Sequence, residues 1–267
     1  MEMKNNRIID NIGISVKNTL DIDFFNSFQI GRCIEIKLNS FLSENYTKDD
    51  MKKYLLKYKD FIYSYHLLTG NDLPCKEYIN QALISFKALF EEGIVEKGSK
   101  EIFVIHPCHF FDYTDMVNIF SEIGKFAEEY NNTIVIENMP DLSNKNPKSL
   151  TTNPRLIAEV LEIVNNPLLG LCIDTGHAIC NCQRNNYHYN SMDWDNKAIH
   201  KWLKHMHIHD SIPEKDLHAP LSKNAFPNLI SNIEFLLSNI ENRILLILEN
   251  STYKEIEESY LYIKNLY

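Results

Sequence analysis

The sequence predicts an α/β protein, a (β/α)8 barrel forming one domain over residues 1–267. Three observations carry that prediction. Eight short aliphatic and β-branched runs recur about every 30 to 40 residues, segments with helical spacing lie between them, and the later runs end in histidine, aspartate or glutamate. The length also sits near that of a complete eightfold barrel.

The runs are Ile12 to Val16, Cys33 to Leu38, Phe61 to His66, Ile102 to His106, Thr133 to Glu137, Leu171 to Asp174, His205 to His209 and Ile244 to Glu249. Several are continuously apolar, as a parallel strand covered on both faces requires. Between them, Met116, Phe120, Ile123, Phe126/Ala127 and Tyr130 fall at three- and four-residue intervals on one helical face. Thr114-Asp115, Asn153-Pro154 and Phe226-Pro227-Asn228 mark helix starts. No Gly-rich phosphate fingerprint follows the first run, and eight units favour a closed barrel over an open doubly wound sheet.

Composition narrows the function classes. A hydrophobic fraction of 44% and a charged fraction of 24% fit a globular enzyme rather than a disordered or fibrous chain. The net charge of −9 supplies no general attraction for nucleic acid or an anionic membrane. The opening MEMKNNRIID has no apolar leader core, and the run Ile244 to Leu248 is too short to span a bilayer, so a cytoplasmic location with no membrane partner is expected. The sequence carries no signal of oligomeric state. Six cysteines, Cys33, Cys75, Cys108, Cys172, Cys180 and Cys182, lack disulfide-scaffold spacing and read as reduced thiols; Cys180 and Cys182 have no second pair to complete a zinc site.

The run ends carry the chemistry. They read Tyr65-His66, Ile105-His106-Pro107, Ile136-Glu137-Asn138, Ile173-Asp174-Thr175-Gly176-His177, His207-Ile208-His209-Asp210 and Leu248-Glu249-Asn250. In a barrel these ends converge on one mouth. A carboxylate there is costly without a cation, and no lysine or arginine stands in these motifs, so a divalent metal is expected. Mixed carboxylate and imidazole donors suit Zn2+, Mn2+, Fe2+ or Co2+ better than Ca2+ or Mg2+. A lone histidine at a strand end is more often a hydrogen-bonded structural residue; its recurrence on consecutive strands argues for ligation. His205 and His209 flank His207 at a spacing of two and can share its face; neither is assigned a role. His109 and His188 read as loop residues, and Trp194 as a candidate lid.

The segments IENMP (136–140), CIDTGHA (172–178), HIHD (207–210) with DLHAPL (216–221), and LILEN (246–250) resemble the strand motifs of the xylose isomerase-like TIM-barrel superfamily. That superfamily includes sugar and sugar phosphate isomerases and epimerases and the endonuclease IV group of abasic-site nucleases. The resemblance implies a metal site of Glu137, Asp174, His207 and Glu249, with His177 orienting substrate or binding a second metal. Its nuclease members imply a larger set that adds His66, His106, Asp216 and His218, so one to three Zn2+ or Mn2+ ions are expected. Ser222-Lys223-Asn224 stands where the family has a Gly-x-Gly turn, and the LLTGNDLP loop after His66 lacks an aromatic residue to probe a DNA helix.

The expected activity is isomerisation or epimerisation of a small sugar or sugar phosphate through an enediolate, with Glu137 and Glu249 as base and acid and His177 as a further catalytic residue. The alternative is metal-dependent cleavage of abasic DNA. For that, the mouth loops offer only Arg184, Lys215 and Lys223 as evident phosphate contacts. A non-catalytic metabolite sensor is a third reading, disfavoured by so many ionisable groups at the catalytic face of this fold.

Overall fold

Alternation along the strands sorts side chains between two environments and closes the sheet. In the computed structural model, residues 8–17, 33–39, 47–67, 75–140, 149–181, 196–213, 215–222, 228–240 and 244–266 are described. Their strands are β1 (Ile12–Val16), β2 (Ile34–Lys37), β3 (Ile62–His66), β4 (Ile102–Ile105), β5 (Thr133–Glu137), β6 (Leu169–Asp174), β7 (Leu203–Ile208), β8 (Asp210–Ile212), β9 (Lys215–Ala219) and β10 (Leu246–Leu248). Strands β1 to β7 pair in parallel in sequence order, and β10 joins β7 to β1 to close an eight-stranded barrel. Strands β8 and β9 form a separate antiparallel hairpin.

Phe103, Ile105, Ile134, Ile136, Leu171 and Ile173 belong to the main core, shared with the surrounding helices. Their alternate neighbours Ile102, Val104, Val135 and Cys172 form a second, smaller cluster, the floor of the barrel. Two residues beyond that floor, the same inward face carries His106, Glu137 and Asp174. One periodicity thus builds an apolar plug and places polar groups above it.

The helices are α1 (Lys48–Tyr58), α2 (Cys75–Glu91), α3 (Tyr113–Tyr130), α4 (Pro154–Val164), α5 (Thr175–Asn181), α6 (Lys197–Trp202), α7 (Leu229–Ser238) and α8 (Tyr253–Lys264). Helix α3 buries Met116, Phe120, Ile123, Ala127 and Tyr130, the expected face, but its cap is Asp112, whose side chain accepts from the Asp115 amide, rather than Thr114. Asn153 caps α4, with Pro154 in its first turn, as the sequence suggests. Asn228 precedes α7 in the left-handed region without a side-chain cap bond, while Phe226 and Pro227 lie outside the described residues.

The thiol expectation is corrected at one pair. Cys75, the first residue of α2, and Cys108, after β4, are disulfide-bonded, with Cα atoms 5.2 Å apart. Their separation of 33 residues in sequence gives no hint of this, because the fold, not the spacing, brings the loops together. Cys33, Cys172 and Cys180 are buried free thiols, and Cys182 lies outside the described residues. Among the described residues, no helix is long and apolar enough to cross a membrane.

Candidate metal centre

The barrel brings the nine expected residues His66, His106, Glu137, Asp174, His177, His207, Asp216, His218 and Glu249 to one mouth, in groups that could hold a metal and that also take in His209 and Glu35; by distance the nine divide into three donor sets. In the first, His66 Nε2 and His106 Nε2 are 3.1 Å apart and lie 3.2 and 3.1 Å from Glu137 Oε2. In the second, His207 Nδ1 lies 3.0 Å from Glu249 Oε2, 3.3 Å from Glu137 Oε1 and 3.8 Å from Asp174 Oδ2. In the third, Asp216 Oδ2 is 3.1 Å from His218 Nε2 and 3.4 Å from His177 Nε2. Donors about 2.0–2.1 Å from a tetrahedral zinc stand about 3.3 Å from each other, so each set has the spacing of a coordination shell.

Hydrogen bonding gives a second test. Both Glu137 oxygens, Glu249 Oε2, His207 Nδ1 and Asp216 Oδ1 are buried without a hydrogen-bond partner despite these short approaches. Buried polar atoms left so are costly, and a cation among them satisfies all of them together. The other ring nitrogens are occupied: His66 Nδ1 lies 3.2 Å from the Leu67 carbonyl, His177 Nδ1 2.8 Å from that of Asn138, and His218 Nδ1 2.8 Å from that of Glu249. A proton donated to each carbonyl leaves Nε2 with its lone pair toward the site, the arrangement of metal-binding histidines. The residues present fit divalent ions.

Electrostatics agree. Burial pushes the Glu137 carboxyl up, but His106 and His207 outweigh it and hold it well below the usual range. Burial opposes protonation of His207, yet Glu35 and Glu137 raise it to about 10; Asp174 and Asp216 likewise overcome burial to raise His177 to about 9. His66 is lowered to about 4, chiefly by burial, and is neutral at pH 7.

Sequence reasoning missed four participants. Lys37, outside the run-end motifs, pairs with Glu249 Oε1, so one of these carboxylates meets a lysine as well. Glu35, two residues before it on β2, is fully buried against His205 and His207. The alternation Ile-Glu-Ile-Lys, two charges on one face of an apolar strand, was the available signal. His209, on the same face as His207, holds Asp174 through Nε2 at 3.1 Å and stacks on His218. Asn138 donates to the Asp174 carbonyl and accepts from its amide. Of the residues noted for other roles, Lys215 is exposed on β9 and His109 is exposed after β4; Arg184, His188, Trp194, Lys223, Asn224 and the loop at 68–74 lie outside the described residues.

Gly176 is required by close approach: a Cβ there would overlap the enclosed ring of His209. Gly176→Ala is therefore expected to destabilise the fold by about 1–3 kcal/mol through overpacking. Urea unfolding checks this; wild-type stability would mean that the ring moves freely.

A family model described as xylose isomerase-like TIM barrel matches residues 97–259. Proteins named "Probable endonuclease 4" from two strains of Mesomycoplasma hyopneumoniae are 27% identical over 192 residues, 67% of this chain and 67% of theirs. Among solved structures, a D-tagatose 3-epimerase-like protein matches with a TM-score of 0.70 at 19% identity, over 96% of this chain and 98% of its own. The IOLI protein with a binding zinc atom matches at 0.67 and 16% identity, over 96% and 95%. At these identities the solved structures share the barrel, and the residues must carry the chemistry.

Proposed function

Because the chain belongs to the xylose isomerase-like TIM barrel family, we propose that it is a metal-dependent hydrolase of phosphodiesters, with abasic DNA as the first substrate to test. The observation that carries this reading is the position of Glu137. Its Oε2 faces His66 and His106 while its Oε1 faces His207 Nδ1 at 3.3 Å. One carboxylate divided between two donor sets is how proteins hold two ions side by side, whereas proton transfer on a sugar needs only one.

Divalent ions, if held by these groups, would supply positive charge to a phosphoryl group and acidify water for in-line attack. The chain does the rest. Glu137 fixes the separation of the first two sets, and Asp216 with His218 brings a third set over the mouth from the hairpin. Lys37 holds one oxygen of Glu249 and leaves the other to face His207. The apolar floor beneath keeps bulk water from the inner side, which strengthens every charge interaction above it. The endonuclease 4 relatives support the choice of substrate.

A second reading, sugar isomerisation or epimerisation, is favoured by Lys37 together with the net charge of −9. A lysine against Glu249 gives a one-metal site a proton donor, and an acidic chain attracts duplex DNA poorly. In that reading Glu137 and Glu249 carry the proton, and Glu249→Gln abolishes exchange between solvent and the substrate carbon.

Protein purified without chelator separates the two. Metal content by mass spectrometry is read beside incision of an abasic-site oligonucleotide duplex and solvent deuterium uptake into a ketose panel. Incision with two or three ions per chain is expected. One ion per chain, deuterium uptake and an intact duplex would replace the hydrolase with the isomerase.

A further inference from the structure

Beneath the second donor set lies a buried carboxylate outside the nine expected donors, Glu35, which with His207 and Glu249 also forms a group that could hold a metal. Glu35 is fully buried on β2. Its Oε2 accepts from Ser64 Oγ at 2.8 Å, His205 Nε2 at 2.8 Å and His207 Nε2 at 3.1 Å. His207 Nε2 also lies 2.9 Å from Oε1. Glu35 and the upper carboxylates therefore occupy opposite nitrogens of one imidazole: Nε2 faces Glu35, and Nδ1 faces Glu249, Glu137 and Asp174. A side chain at Nε2 cannot share an ion with Nδ1 of the same ring.

We infer that Glu35 is a positioning residue, which fixes His207 with its proton on Nε2 and its Nδ1 lone pair aimed into the second donor set. The inference rests on the proposed metal binding and goes beyond it, because it assigns the control of one particular set to a residue that touches no ion. The geometry differs from that of the other histidines in a way that demands such a partner. His66, His177 and His218 each have a backbone carbonyl at Nδ1, that of the next residue for His66 and those of Asn138 and Glu249, on other segments, for the other two, whereas the partner behind His207 is a carboxylate. His207 points the other way round, with Nδ1 toward the ion, and its Nε2 projects toward the barrel interior, where a partner has to come from another strand. Glu35 supplies it from β2, across the barrel.

The surroundings hold the carboxylate still. Ser64 on β3 and His205 on β7 both donate to the oxygen that His207 uses, and Tyr63 stacks on the His205 ring with centroids 5.7 Å apart. His205 is thereby explained as well: it braces Glu35 from two residues before His207 on the same strand. A hydrogen-bonded carboxylate behind a ligating histidine sets the ring orientation and raises its basicity, and loss of such a partner weakens metal binding about 10- to 100-fold.

The test is Glu35→Gln with zinc as the probe. A carboxamide keeps one acceptor oxygen for His205 but carries no charge, and His207 Nε2, within reach of both carboxylate oxygens, then faces an amide N–H at one of them and loses the charge that raises its basicity. Chelator competition on the variant should show one ion per chain bound about 10- to 100-fold more weakly and the remaining ions unchanged. Should the variant fail to fold, wild-type protein loaded with zinc decides the matter by long-range proton–nitrogen NMR. His207 must then carry its proton on Nε2 and bind through Nδ1. Wild-type affinity for every ion in a folded variant, or a His207 that binds zinc through Nε2, overturns the inference. A wild-type protein that binds no zinc overturns instead the metal-dependent function on which it rests.

Discussion

Glu137→Ala is expected to lower hydrolysis roughly 10³-fold and to release two ions per chain, whereas His218→Ala releases one. Alanine removes both carboxylate oxygens from the mouth and leaves the apolar floor beneath them intact. The two oxygens face different sets, hence the double loss. Several kcal/mol of charge stabilisation are removed, and each 1.36 kcal/mol is a factor of ten in rate. Metal content and kcat/KM measured on the same preparations check both parts. Equal loss of one ion in each variant would show that Glu137 does not bridge.

The metal affinities of the second and third donor sets are each expected to rise with pH, about tenfold per unit up to roughly pH 9, as one proton is displaced at each. The protons belong to His207, raised to about 10 by Glu35 and Glu137 against burial, and to His177, raised to about 9 by Asp174 and Asp216. Both rings are charged at neutral pH without metal, and both must shed a proton to ligate. The same shifts act on the metal-free fold with the opposite sign. A histidine whose folded value is raised contributes stability that is complete below its unfolded value, about 6.5, and that is lost as pH rises through the folded value. These two contributions to the stability of the metal-free protein therefore fade between about pH 6.5 and 10, where zinc stabilises most. Melting scans with and without zinc across that window should diverge; parallel curves would show that neither ring is a ligand.

The barrel was legible because its signal is local. Continuous apolar runs and helical intervals are fixed by neighbours in sequence, and β1, β3, β5 and β7 fall within two residues of the expected runs. Strand β6 starts two residues early, at Leu169, because Gly170 and the aliphatic residues beside it pair with Ile134 and Val135. The mouth was legible for a related reason: a polar residue ending an apolar strand stands out without any knowledge of its partners. What could not be read were relations across the barrel. Glu35 and Lys37 sit inside a strand rather than at its end, and their partners His207 and Glu249 come more than 160 residues later. The Cys75–Cys108 bond was hidden likewise, since each half lies on a different connection between strands. Asp216 and His218 were reachable only through the family pattern. His218 takes a left-handed backbone, φ 46°, that nothing about a histidine announces.

That hairpin, β8 and β9, hangs outside the closed sheet and pairs only with itself. Seven of the nine donor residues belong to the barrel wall or to the turn of helix that continues it, and two ride on a ribbon whose removal leaves every barrel strand pair intact. The scaffold and the number of cations it would hold are therefore separable by design of the chain. A short insertion after one strand is enough to turn a vessel for fewer ions into a vessel for more, which gives a barrel lineage a way to exchange one chemistry for another by editing a ribbon instead of rebuilding a core.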